Sequence, residues 1–111
     1  MVKKMNNLEM VNAVNSLTEF VGKDKIVPVA LSVAISANIK NLLRELEPYN
    51  EEREKLIKKA ADNESFIELC NIDVEVNLRT VSAELLDGVE LSTKDYFALE
   101  FMLEEPKSQS E

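Results

Sequence analysis

Histidine and tryptophan are absent from the 111 residues, cysteine occurs once and glycine twice. Without histidine the chain lacks the commonest general base and the commonest metal ligand at neutral pH. Cys70 alone leaves no internal disulfide and no thiolate cluster, a usage that fits a reducing cytoplasm. It lies between Leu69 and Ile72 with no histidine to deprotonate it, so it reads as a buried structural thiol rather than a nucleophile. Gly22 and Gly88 are too far apart to build a phosphate-cradling loop, and Ser32, Ser36, Ser82 and Ser92 have no G-x-S-x-G setting. Neither an EF-hand spacing nor a Glu-x-x-His pair occurs. These absences predict no enzyme activity, no metal and no cofactor.

Basic residues are also short: 13 Lys and Arg face 21 Asp and Glu, a net charge of -8. That sign disfavours direct binding to a nucleic-acid backbone or an anionic membrane and is easier to reconcile with a basic protein partner. No hydrophobic run is long enough for a membrane span. The most apolar one, residues 26–37, contains Ser32 and Ser36 and falls short of the roughly twenty residues a span requires. Lys3 and Lys4 resemble the basic start of a signal peptide, but Asn6, Asn7, Glu9, Asn12 and Asn15 interrupt the apolar segment that should follow. The expectation is a soluble protein.

What is present is helical periodicity. In residues 29–61, Ile35, Ile39, Leu42, Leu46, Tyr49, Leu56 and Ala60 fall on one stripe, with Arg53 the single lapse. Unbroken, such a helix would run roughly 50 Å, against a radius of gyration of about 13 Å for a compact domain of this size, so it must be bent or covered. Pro48 sits inside it, where a proline removes one backbone hydrogen bond and clashes one turn back. The stripe passes through Pro48 in phase, so a kinked helix or two nearly continuous helices are expected in preference to a reversal.

Residues 7–21 form a shorter amphipathic helix, with Asn6 or Asn7 as N-cap and Gly22 placed to stop it in a left-handed conformation. Pro28 suits the first turn of the next helix, and the short loop between favours an antiparallel hairpin. From Ile72 the period becomes two: Ile72, Val74, Val76 and Leu78 alternate with Asp73, Glu75, Asn77 and Arg79, a half-buried strand. Its expected partners are residues 66–70, or 81–86 and 89–91 across the Asp87-Gly88 turn, with a single helical turn as the alternative for 82–86. Ser92 and Asp95 make a capping box for a last helix over residues 93–104, apolar round well over half its circumference and expected to be mostly buried. Residues 1–105 read as one domain and 106–111 as a disordered tail.

The paired carboxylates Glu45 and Glu47, Glu51 and Glu52, and Glu104 and Glu105 read as a solvated face among Lys40, Arg44, Lys55 and Lys58. The apolar stripe is the remaining feature with functional content. Read as core, it is covered by the first and last helices. Read as a surface, it leaves Tyr49, Leu56, Ile57 and Ala60 as a candidate interface for a second subunit or another protein, because a helix of about four turns cannot shield one twice its length.

Three stretches, LEMVNAVNSLTEF, SANIKNLLRELEPYNEEREKLIKK and VEVNLRTVSAELLDGVELSTKDYFALEFMLEE, together resemble a family of small uncharacterised proteins encoded by tailed phages and prophages of Gram-positive bacteria. The ending S-x-x-D-x-x-x-L-x-F-M (Ser92, Asp95, Leu99, Phe101, Met102) is the most characteristic part. The resemblance brings no activity and no site residues. It implies a virion-accessory, assembly or host-takeover role in the host cytoplasm or the virion.

The sequence therefore predicts an α+β domain: an antiparallel helical hairpin with a long kinked second helix, a two- to three-stranded antiparallel sheet and a buried C-terminal helix. It predicts a non-enzymatic protein working through protein contacts, as a homo-oligomer or with a host or phage partner. The alternative is an acidic inhibitor of a host defence protein whose carboxylates stand in for phosphates. A small-molecule binder is a third class.

Overall fold

The computed structural model describes residues 1–104; the expected tail, 106–111, lies outside the described residues. Within them the chain is α+β, with five α-helices and a two-stranded antiparallel sheet. In chain order these are β1 (Val2–Asn6), α1 (Asn7–Gly22), α2 (Val29–Glu45), α3 (Glu47–Lys58), α4 (Asn63–Cys70), β2 (Asp73–Asn77) and α5 (Thr93–Glu100), with a 3-10 turn at Ala83–Leu86.

The alternating segment is a strand, but its partner is not one of the expected neighbours. β2 pairs with β1 at the start of the chain, Val2 opposite Asn77 and Asn6 opposite Asp73. Met1 extends the ladder, its α-amino group donating to the Leu78 carbonyl at 3.0 Å and its own carbonyl accepting from the Leu78 N–H at 2.7 Å. Residues 66–70 belong to a helix instead, and residues 89–91 form no strand. Residues 83–86 take the single-turn alternative, while Val81 makes an isolated parallel bridge to Leu103. β1 escapes notice in the sequence because only Met5 of its five residues is buried, and Lys3 and Lys4 hide the alternation.

Asn6 caps α1 in a full capping box: its side-chain oxygen accepts from the Glu9 N–H at 2.8 Å, and the Glu9 carboxylate accepts from the Asn6 N–H at 2.8 Å. The helix runs through Gly22, so the left-handed position after it falls on Asp24 (φ 53°), a residue type that tolerates that conformation better than most. Pro28 is the N-cap of α2 rather than its first residue. α1 and α2 pack side by side and are joined by the short connection of residues 23–28.

Leu46 alone separates α2 from α3. The Leu46 N–H donates to the Leu42 carbonyl at 3.0 Å, and the Asn50 N–H to the Leu46 carbonyl at 2.9 Å, so hydrogen bonding continues on both sides of the junction. Pro48 occupies the second position of α3, where a helix has no internal acceptor for an N–H and the proline loses nothing.

The core joins Met10, Leu17 and Phe20 of α1 to Leu31, Ile35 and Leu42 of α2, and to Val76, Leu78, Leu99 and Met102. One polar residue is built into it. Asn38 of α2 is fully buried, donates to the Arg79 carbonyl at 2.9 Å and accepts from the Arg79 N–H at 2.7 Å, stitching α2 to the chain leaving β2. The last helix ends at Glu100 and packs mainly on α1. Only one of its faces is buried, through Asp95, Ala98 and Leu99; Tyr96 stays exposed and Phe97 is 64 % exposed.

Asp95 ties α5 down. Its carboxylate accepts from the Lys23 and Lys25 ammonium groups and from the Ser92 N–H. The Lys23 hydrogen bond, the capping bond from Ser92 and the Lys25 contact together hold this carboxyl well below the usual carboxylate range. It therefore stays ionised although only 2 % of its side chain is exposed.

Candidate functional site

Helix α3 contributes no buried residue, whereas α2, which precedes it, buries five. The chain covers it from one side with α4, whose residues 66–70 are one of the two candidate strand partners offered by the sequence. The crossover between them is a tight reversal. The Ala61 N–H donates to the Leu56 carbonyl at 3.0 Å and the Ala60 N–H to the Ile57 carbonyl at 3.1 Å, with Ala60 itself in the left-handed region at φ 53°. This is the closure usually given to glycine. Asp62 then caps α4, accepting from the Ser65 N–H at 3.0 Å and the Ser65 hydroxyl at 2.9 Å, bonds that lower the Asp62 pKa.

Between α3 and α4 lies an open groove of about 700 Å³. Its apolar surface comes from Pro48, Tyr49 and Leu56 on one side, Leu69 on the other, and Ile72 and Val74 at the end nearest the sheet. Glu45, Glu52 and Glu68 stand among them, and no lysine or arginine among the described residues lines the groove. Asn7 fixes the far wall: its side-chain amide donates to the Leu69 carbonyl at 2.8 Å, and its backbone N–H donates to the Ile72 carbonyl at 3.1 Å. Burial pushes the Tyr49 hydroxyl above its ordinary pKa, the neighbouring Cys70 adds to the shift, and the Arg53 guanidinium opposes it. The phenol therefore remains a neutral donor over the whole physiological range.

Of the four residues picked from the stripe, the structure brings Tyr49 and Leu56 together in this groove. Ile57, 51 % exposed, and Ala60, in the reversal, do not line it. The sequence reading missed the opposite wall and the rim. A signal was available: Phe66, Leu69 and Cys70 stand at i, i+3 and i+4 after the Asp62 cap, the spacing of a helix face.

Among the described residues, no three of His, Cys, Asp or Glu converge as metal ligands. Nor is any helix among them long and apolar enough to cross a membrane. No protein-family model, curated protein or solved structure matches the chain.

Proposed function

We propose that this chain is a non-enzymatic protein that works through protein–protein contacts and holds a basic, partly apolar segment of its partner in the α3–α4 groove. One observation carries the reading: an apolar trough whose only charged lining groups among the described residues are the three carboxylates of Glu45, Glu52 and Glu68. Such a trough favours aliphatic anchors flanked by lysine or arginine, an amphipathic helix above all. In this proposal α2 and α3 act as one long helix kinked at Pro48. The phage-type resemblance of the sequence supplies the setting, an assembly or host-takeover role in the host cytoplasm or the virion.

A second reading is favoured by the outer surface of α3, where Glu47, Glu51 and Glu54 are all exposed. Here the protein is an acidic inhibitor that blocks the nucleic-acid-binding surface of a host defence protein. The two readings separate by mutation. Protein is captured from host extract on the immobilised chain and on the Leu56→Asp and Glu52→Lys/Glu68→Lys variants. Under the groove reading, a basic protein is retained by the wild type and lost by both variants, and it elutes as salt rises because exposed charge pairs are screened. Capture untouched by Leu56→Asp but lost when Glu47, Glu51 and Glu54 become glutamine favours the inhibitor. Capture indifferent to every one of these changes overturns both.

A further inference from the structure

The acidic residues are unevenly spread: residues 25–44 contain neither Asp nor Glu, but do contain Lys25, Lys40 and Arg44. The same segment carries the most exposed aliphatic side chains of the molecule, Ile26 at 96 % and Val29 at 77 %, followed on the outer face of α2 by Val33 at 47 %. On a protein of net charge -8, a segment without carboxylates is one that two copies can share with little charge repulsion. A shallow groove of about 320 Å³ runs beside it, between the end of α1 and α2, with Ser32, Ser36 and Ile39 on its α2 side. That volume accommodates an aliphatic side chain.

Two exposed charges mark the ends of the strip. Asp24 stands before α2 and Lys40 lies more than ten residues into it, and neither has an ion-pair partner among the described residues. The other two charges of the α1–α2 loop, Lys23 and Lys25, are both taken by Asp95. We propose that the outer face of α2 is a self-association surface on which two copies pair antiparallel about a two-fold axis near Ser32 and Val33. In that register Ile26 of each copy meets the groove at Ile39 of the other, and Lys40 of each approaches Asp24 of the other, so both charges are matched twice. A parallel register would set Asp24 against Asp24 and Lys40 against Lys40. The helical part of the strip, from Val29 to Lys40, is about 17 Å long at 1.5 Å per residue, well short of a standard interface, so the dimer is weak. This surface is separate from the α3–α4 groove, and either can fail without the other.

Sedimentation velocity and light scattering of the full chain between about 5 μM and 1 mM test the proposal. The mass rises from monomer to dimer across that range. Ile26→Asp, at a side chain with almost no contacts to lose, leaves the circular dichroism and Tm unchanged and raises the Kd at least about 100-fold, since two buried aliphatic groups are lost at once. Lys40→Glu raises it about tenfold. In an Asp24→Asn background, which keeps a residue suited to the left-handed backbone, the same Lys40→Glu change has little further effect, because its repulsive partner is gone. A chain that stays monomeric at 1 mM overturns the proposal, as does a dimer indifferent to Ile26→Asp. Equal penalties for Lys40→Glu in both backgrounds overturn the antiparallel register.

Discussion

Helices α2 and α3 carry one continuous apolar stripe, yet α2 buries five residues and α3 none. The difference lies in what each meets. α2 is enclosed by α1, β2 and the chain around Leu78 and Met102, whereas α3 meets chiefly α4, a helix of eight residues with one buried side chain. Periodicity of side chains thus tells which face of a helix turns toward the rest of the molecule. How deeply that face is buried depends on partners distant in sequence. The radius of gyration, 16.2 Å, exceeds the roughly 13 Å of a compact domain of this length, and the extents of 50 × 37 × 22 Å record the same departure.

Paired truncations would test this contrast most severely. Leu42→Ala removes a fully buried side chain from α2 and is expected to cost about 2–5 kcal/mol in urea unfolding, while Leu56→Ala, on the half-buried face of α3, costs about 1 kcal/mol. Equal losses would mean that α3 is as much core as α2.

A second test moves to the ion pairs that fasten α5. Asp95 has a folded pKa below its unfolded value, so its contribution is complete above about pH 5 and fades as acid protonates the unfolded chain first. Asp95→Asn should therefore be less stable than the wild type at pH 7, and the gap should close as the pH falls toward 2. A gap constant with pH would leave the carboxylate no part in holding Lys23 and Lys25.

The smallest effect runs the other way. Ala60→Gly relieves a left-handed backbone position at the α3–α4 reversal and should raise stability by up to about 1 kcal/mol without altering the groove. A loss would show that the alanine methyl, not the backbone conformation, matters there.

Much of this is legible in the chain itself. The α+β class, the start of α1 at its Asn6 cap, the Ser92–Asp95 capping box and the strand around Val74 and Val76 all follow from local signals. Local chemistry could not reveal that β2 would pair with Val2–Asn6, since nothing in a half-polar strand names its partner. Nor could it distinguish Asp24 from Gly22 as the left-handed residue, because the helix simply continues through the glycine. Half of the groove was visible as the Tyr49–Leu56 face; the other wall was obscured because Phe66, Leu69 and Cys70, sitting next to a genuine strand, pass equally for another one.

The pairing of β1 with a strand some seventy residues later bears on how the molecule is made. During synthesis the Val2–Asn6 strand has no partner until its pairing segment, Asp73–Asn77, has followed at roughly 5–20 residues per second. The helices between have time to collapse before the sheet can close. Closure of the sheet is therefore a late, long-range event, and the unpaired first strand is the part most open to capture by chaperones or by other molecules.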